Sequence, residues 1–169
     1  RQDIVLNEGD AKTWATTAPE NVWNPIGKGD ASLSFEGTFD GQGHTISGLY
    51  YDSALYGGGL FVYTGASAVI KDLKLTNSYI KSTHGAEWSA TGSIAAFVNG
   101  TTFINVYSDA IIDTNSGYTG GIGGRVQGAA IEAENCEFAG TITATGTVAN
   151  YIGGIFGGYN TNVASVSSV

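Results

Sequence analysis

The chain has 169 residues, 26 of them glycine, with 42% hydrophobic and only 13% charged side chains. That length suits a single domain able to bury most of its apolar surface, and the apolar share sets it apart from a disordered chain. Fifteen acids against seven bases give a net charge of −8 with no Lys/Arg cluster, which argues against nucleic acid or an anionic membrane surface as a partner.

Cys136 stands alone, so neither an intrachain disulfide nor a thiolate metal site can form. The acidic balance could hold Ca²⁺, but no D-x-D-x-D-G loop is present, and no cofactor or metal is expected. No run reaches the ~18 apolar residues of a membrane span, so membrane insertion is not expected. The chain opens at Arg1 and closes inside the alternating run VASVSSV, which reads as a piece of a longer polypeptide.

Residues 1–34 read as an N-terminal cap. They hold both prolines and two of the three tryptophans, Trp14 and Trp23. Within them EGDAKTWATTAPE predicts a short helix, with Asp10 as its N-cap and Pro19 just past its end. Residues 35–169 then read as stacked coils, the first beginning near Leu33. In FEGTFDGQGHTISGL, residues 35–49, Asp40-Gly41 and Gln42-Gly43 shape a corner ahead of a strand. Ile46 and Leu49 lie three apart, so alternation must break near Gly48.

An internal repeat carries the architecture. GGLFVYTG, GSIAAFVNG, GGIGGRVQG and GGIFGGYN place one aliphatic anchor each, Leu60, Ile94, Ile122 and Ile155, at steps of 34, 28 and 33. A second set, aligned on Asp72, Asn105, Asn135 and Ser165, follows at steps of 33, 30 and 30. Residues 1–56 do not visibly share the pattern. A period near 30 with two-residue alternation, and no sustained helical period, predicts an all-β parallel β-helix, or β-solenoid. Asn105 and Asn135 are placed to stack as an amide ladder at one corner.

VWNPIG (22–27), FEGTFDGQGHTISGL (35–49), GGLF (58–61) and AVIKDLKLTNSYI (68–80) resemble the Gly-Leu-rich GLUG-type repeats of bacterial extracellular proteins. Such repeats occur in large surface proteins, some beside IgA-protease-like peptidase domains. The resemblance implies a right-handed parallel β-helix exported to the cell surface or medium. SIAAF and GIGGR depart from the usual G-L-F-G form, which predicts irregular second and third coils.

Several side chains are candidates for chemistry. His44 in the corner motif fits a structural hydrogen bond, and His84 fits an exposed loop between coils. Paired acids such as Asp72 with Asp109, or Asp113 with Glu132, Glu134 or Glu137, would suit a glycoside hydrolase. With Arg125 as base they would suit a polysaccharide lyase. Lys71 or Lys74 with Asn105 would suit an isopeptide crosslink. Aromatic rings offer a different site, because sugar C–H faces stack on them. Trp88, Trp23 and Trp14, with Tyr50, Tyr51, Tyr56 and Tyr63, are the candidates. Trp88 stands out within the longest loop, KSTHGAEWSATG.

These features support a non-catalytic extracellular module acting in adhesion or in binding a polysaccharide or surface glycan. A polysaccharide-degrading enzyme is the first alternative. The second is a self-assembling stalk that associates through the uncapped C-terminal coil.

Overall fold

The computed structural model describes residues 2–27, 31–148, 151–159 and 166–167. Short strands separated by tight corners return the chain to the same place every 28 to 34 residues, as the registers Phe61↔Ala95, Ala95↔Gly123 and Gly123↔Phe156 show. Each coil carries strands on four faces, the first face of the first and fourth coils being split into two strands, Thr38–Asp40 with Thr45–Ser47 and Ile131–Glu134 with Glu137–Phe138. In the second coil the strands are Val69–Thr76, Tyr79–Ser82, Ala90–Gly92 and Ala95–Val98. In the third they are Thr102–Ser108, Ile111–Thr114, Tyr118–Gly120 and Gly123–Val126. Corresponding strands pair in parallel from coil to coil. The molecule is therefore a β-solenoid with four faces, which among the described residues form one 8-stranded sheet and three 4-stranded ones. We number the faces one to four in the order of the strands just given.

The interior is lined by one side of each strand. Ile70, Leu73, Leu75, Phe103 and Val106 point inward from the first face, and Ile80 and Ile112 from the second. The four aliphatic anchors stack along the axis. The Ile94 N–H donates to the Ile122 carbonyl at 3.0 Å, and the Ile122 N–H donates to the Ile155 carbonyl at 2.9 Å. The Phe61 N–H reaches the Ile94 carbonyl at 2.8 Å, which brings Leu60 into the same column. Burying this column with the rest of the core stabilises the stack, because isolated coils have no second layer to cover them.

The first face bends in mid-strand, and the bend has a residue-level cause. Asp72, Asn105 and Asn135 adopt φ of 52°, 54° and 52°, the left-handed region that Asx residues tolerate better than most. Their side chains stack: Asn105 Nδ2 donates to Asp72 Oδ1 at 2.7 Å, and Asn135 Nδ2 donates to Asn105 Oδ1 at 3.1 Å. The expected amide ladder thus forms, with Asp72 as its acceptor end. Gln42, at φ 53°, makes the corresponding bend in the first coil. The Asn105 amide is committed to this ladder and Lys71 pairs with Asp40 at 3.2 Å, so neither is poised for an isopeptide bond.

Several expectations need correction. The repeat reaches back before residue 57: Thr38 pairs with Val69, Thr45 with Lys74 and Tyr50 with Tyr79. Four residues separate Asp40 from Thr45 where two separate Lys71 from Lys74, and that insertion hides the period. The first coil does not begin at Leu33, which ends a 3-10 turn at Ala31–Leu33; its first strand is Thr38–Asp40. The N-terminal helix is only the 3-10 turn Ala11–Thr13, with Asp10 as N-cap accepting from the Lys12 N–H at 3.0 Å. Beyond it the Thr13 and Thr16 hydroxyls bond back to the carbonyls of Asp10 and Thr13, a local alternative to helix continuation.

The second and third coils are regular rather than disrupted. A side chain at Gly92 would collide with the Ala95 carbonyl, so the small residues of SIAAF and GIGGR let the third and fourth faces meet backbone to backbone. The fourth alignment of the second set also shifts. Ser165 lies outside the described residues, and Val166 pairs with Ile131 rather than with Cys136.

The N-terminal segment lies against the first coil. Ile4–Val5 adds a parallel strand beside Thr45–Ser47, and Ala11 and Trp14 pack over Tyr50 and Tyr79 on the second face. Ile46 and Leu49 are both buried, with the alternation broken at Gly48, whose φ is 77°.

Candidate functional site: an aromatic stripe

Parallel coils repeat every 4.7–4.9 Å along a sheet, so identical outward positions stack their side chains at that spacing. On the fourth face the outward register is Tyr63↔Phe97↔Arg125. On the third it is Ala90↔Tyr118↔Tyr151. The rings follow the strand spacing. Tyr63 stacks on Phe97 with centroids 4.6 Å apart, and Tyr118 stacks on Tyr151 at 4.7 Å. Tyr56 covers the Phe97 ring at 5.1 Å and takes the edge of His84 at 5.4 Å.

Arg125 joins the two rows. Its Cζ lies 4.9 Å from the Tyr118 ring centre and 5.8 Å from that of Trp88, within cation–π range. The result is one stripe spanning all four coils at the edge between the third and fourth faces. Phe97 and Tyr118 form its buried floor, whereas Trp88, Tyr151 and Tyr56 remain 52%, 47% and 37% exposed. Burial pushes the Tyr56 hydroxyl above its ordinary pKa, and the nearby Arg125 charge opposes that rise.

The other aromatic candidates are packed elsewhere. Trp14, Tyr50 and Tyr51 are 4%, 5% and 1% exposed. Trp14 meets Tyr50 edge-on at 6.0 Å, and Tyr50 in turn stacks on Tyr79. The Tyr51 hydroxyl donates inside the solenoid to the Gly57 carbonyl at 3.0 Å. Trp23 rests against the core, its indole N–H donating to the Leu60 carbonyl at 3.2 Å. Trp88 is thus the tryptophan whose ring is largely exposed to solvent.

His84 is half-buried against Tyr56, in a loop within the second coil rather than between coils. His44 lies 3.3 Å from Asp3 at the corner, the structural contact expected of it. A hydrogen bond from the Thr45 N–H, with His44 adding to it, holds the Asp3 carboxyl below its usual range.

The acids considered for catalysis sit in structural bonds or apart. Asp72 accepts from Asn105, Asp109 accepts from the Asn77 N–H at 2.7 Å, and Asp113 accepts from the Tyr79 hydroxyl at 3.2 Å. Glu132, Glu134 and Glu137 are exposed on the first face, whereas Asp113 belongs to the second. Among the described residues no three His, Cys, Asp or Glu side chains converge to hold a metal ion.

Comparison with protein-family models, with curated proteins and with solved structures finds no match to this chain.

Proposed function

We propose that this chain is a non-catalytic, extracellular recognition module of a bacterial surface or secreted protein, binding carbohydrate on its aromatic stripe. The observation that carries the reading is the exposed ring of Trp88 beside the ordered row of Tyr56, Tyr118 and Tyr151. A flat apolar ring held in place by neighbours takes up the C–H face of a sugar with little loss of side-chain entropy. A row that follows the solenoid axis suits an extended chain of such units. The likeness of the motifs in residues 22–80 to GLUG-type repeats supports the extracellular, bacterial setting.

A glycan array probed with the parent protein and with Trp88→Ala tests this. Retention of one glycan class by the parent, lost in the variant at an unchanged melting temperature, is the expected result. An array silent across neutral and acidic glycans alike would remove the reading.

A further inference from the structure

Arg125 poses a problem that the sugar-stacking reading leaves unsolved. Among the described residues its guanidinium lies against the rings of Trp88 and Tyr118, with Tyr56 nearby, and its Nε is sealed from solvent without a hydrogen-bond acceptor. The chain carries 15 acids, yet none of the ion pairs found in the described residues involves this guanidinium. Its outward neighbours in register are Phe97 on one side and Gly158 on the other, neither of them an acceptor side chain. A cation partly withdrawn from water, with no counter-ion among the described residues, is costly, and an arriving anion relieves that cost.

We infer that the stripe takes an acidic glycan, a uronic-acid polymer whose sugar ring stacks on Trp88 while its carboxylate meets the terminal nitrogens of Arg125. Planar guanidinium matches planar carboxylate through two parallel hydrogen bonds. Because Nε is buried, the outer edge of the fork makes the contact. Trp88 and Tyr118 hold the guanidinium in place beforehand, so the ordering cost at binding is small. The net charge of −8 disfavours polyanions at long range. Recognition is therefore local, and a chain of alternating contacts is favoured over bulk charge.

This inference rests on the glycan-binding reading, and one titration series separates the two. Oligomers of galacturonate, of mannuronate and of glucuronate-substituted xylan are titrated into the protein, each beside its carboxyl-reduced, neutral counterpart. Dextran sulfate serves as a plain polyanion. At least one uronate oligomer is expected to bind about tenfold or more tightly than its reduced form, and more tightly than dextran sulfate. Arg125→Gln should erase that preference while leaving the weaker binding of the reduced form, and Arg125→Lys should keep only part of it. Trp88→Ala should weaken both forms together, with melting temperatures confirming that each variant is folded. Equal binding of the acidic and reduced oligomers, a preference that survives Arg125→Gln, or tighter binding of dextran sulfate would overturn the acidic ligand but leave a glycan site standing. Absence of binding to every oligomer would overturn the acidic ligand, and the glycan-binding reading would fall with it only if the glycan array is silent as well.

Discussion

Asn7 donates its side-chain amide to the Gly48 carbonyl at 2.8 Å, and the Asn7 backbone occupies the place where a side chain on residue 48 would have to stand. The same asparagine accepts from the Asn21 N–H at 2.9 Å. One residue thus ties the N-terminal segment both to itself and to the first coil. Gly48→Ala would have to accept a left-handed φ of 77° and expel Asn7 at once. The expected cost is about 3 kcal/mol or more, with release of the N-terminal segment to protease. Gly43→Ala provides the contrast. Gly43 has nearly the same φ, 76°, but open space around it, so its cost should stay near 1 kcal/mol. Urea unfolding of the pair, with limited proteolysis, makes the comparison.

The ladder at the first-face bend yields a second test. Asn105→Ala removes two side-chain bonds and puts a less tolerant residue at φ 54°, for a loss of roughly 2 kcal/mol. Asn105→Gly removes the same bonds without the strain and should cost about half as much. Equal losses in urea unfolding would show that the left-handed conformation contributes nothing.

Inside the solenoid, Thr119 Oγ1 is buried without a hydrogen-bond partner, in register with Thr91, whose hydroxyl bonds to those of Thr114 and Ser116. Thr119→Val replaces the orphan hydroxyl by a methyl group of similar size. It should raise stability by about 1 kcal/mol, read as a higher melting temperature. Thr91→Val, which breaks satisfied bonds, should lower it.

Alkaline stability depends on Tyr79. Burial, aided by the Asp113 carboxylate 3.2 Å away, pushes its hydroxyl from 10.0 to about 12. Below pH 10 the phenol is protonated in both the folded and unfolded chain, and its contribution is complete. Between pH 10 and 12 the unfolded chain ionises first, so stability falls, by roughly 2 kcal/mol once both forms are ionised. Tyr79→Phe should flatten that part of the pH–stability curve while losing about 1 kcal/mol at neutral pH through the missing hydrogen bond. A curve unchanged by the substitution would assign the alkaline loss to other groups.

Much of this architecture was legible from spacing because glycine corners, aliphatic anchors and left-handed Asx residues recur at fixed places in each coil. Leu60, Ile94, Ile122 and Ile155 do share one column, and Asp72, Asn105 and Asn135 do share one bend. The first coil was expected, but its kinship with the later repeats stayed hidden because two inserted residues at Gln42-Gly43 shift its frame. The stripe was only half visible. Trp88, Tyr56 and Tyr63 attract attention as aromatics, but Phe97, Tyr118, Tyr151 and Arg125 are scattered along the chain and meet only across coils. A signal was present all the same: Tyr63, Phe97 and Arg125 each stand three residues after an anchor. The adjacent pair Tyr50-Tyr51 misleads because strand alternation sends Tyr51 inward, while Trp14 covers Tyr50 from outside.

The most direct test is a crystal structure of the chain soaked with a uronate oligomer. Density for a sugar ring against the Trp88 face, with its carboxylate at the Arg125 guanidinium, is the predicted result. Sugar bound instead in the open groove between Asp10, Asn77 and Asp109 on the second face, or crystals free of sugar at saturating oligomer, would contradict it.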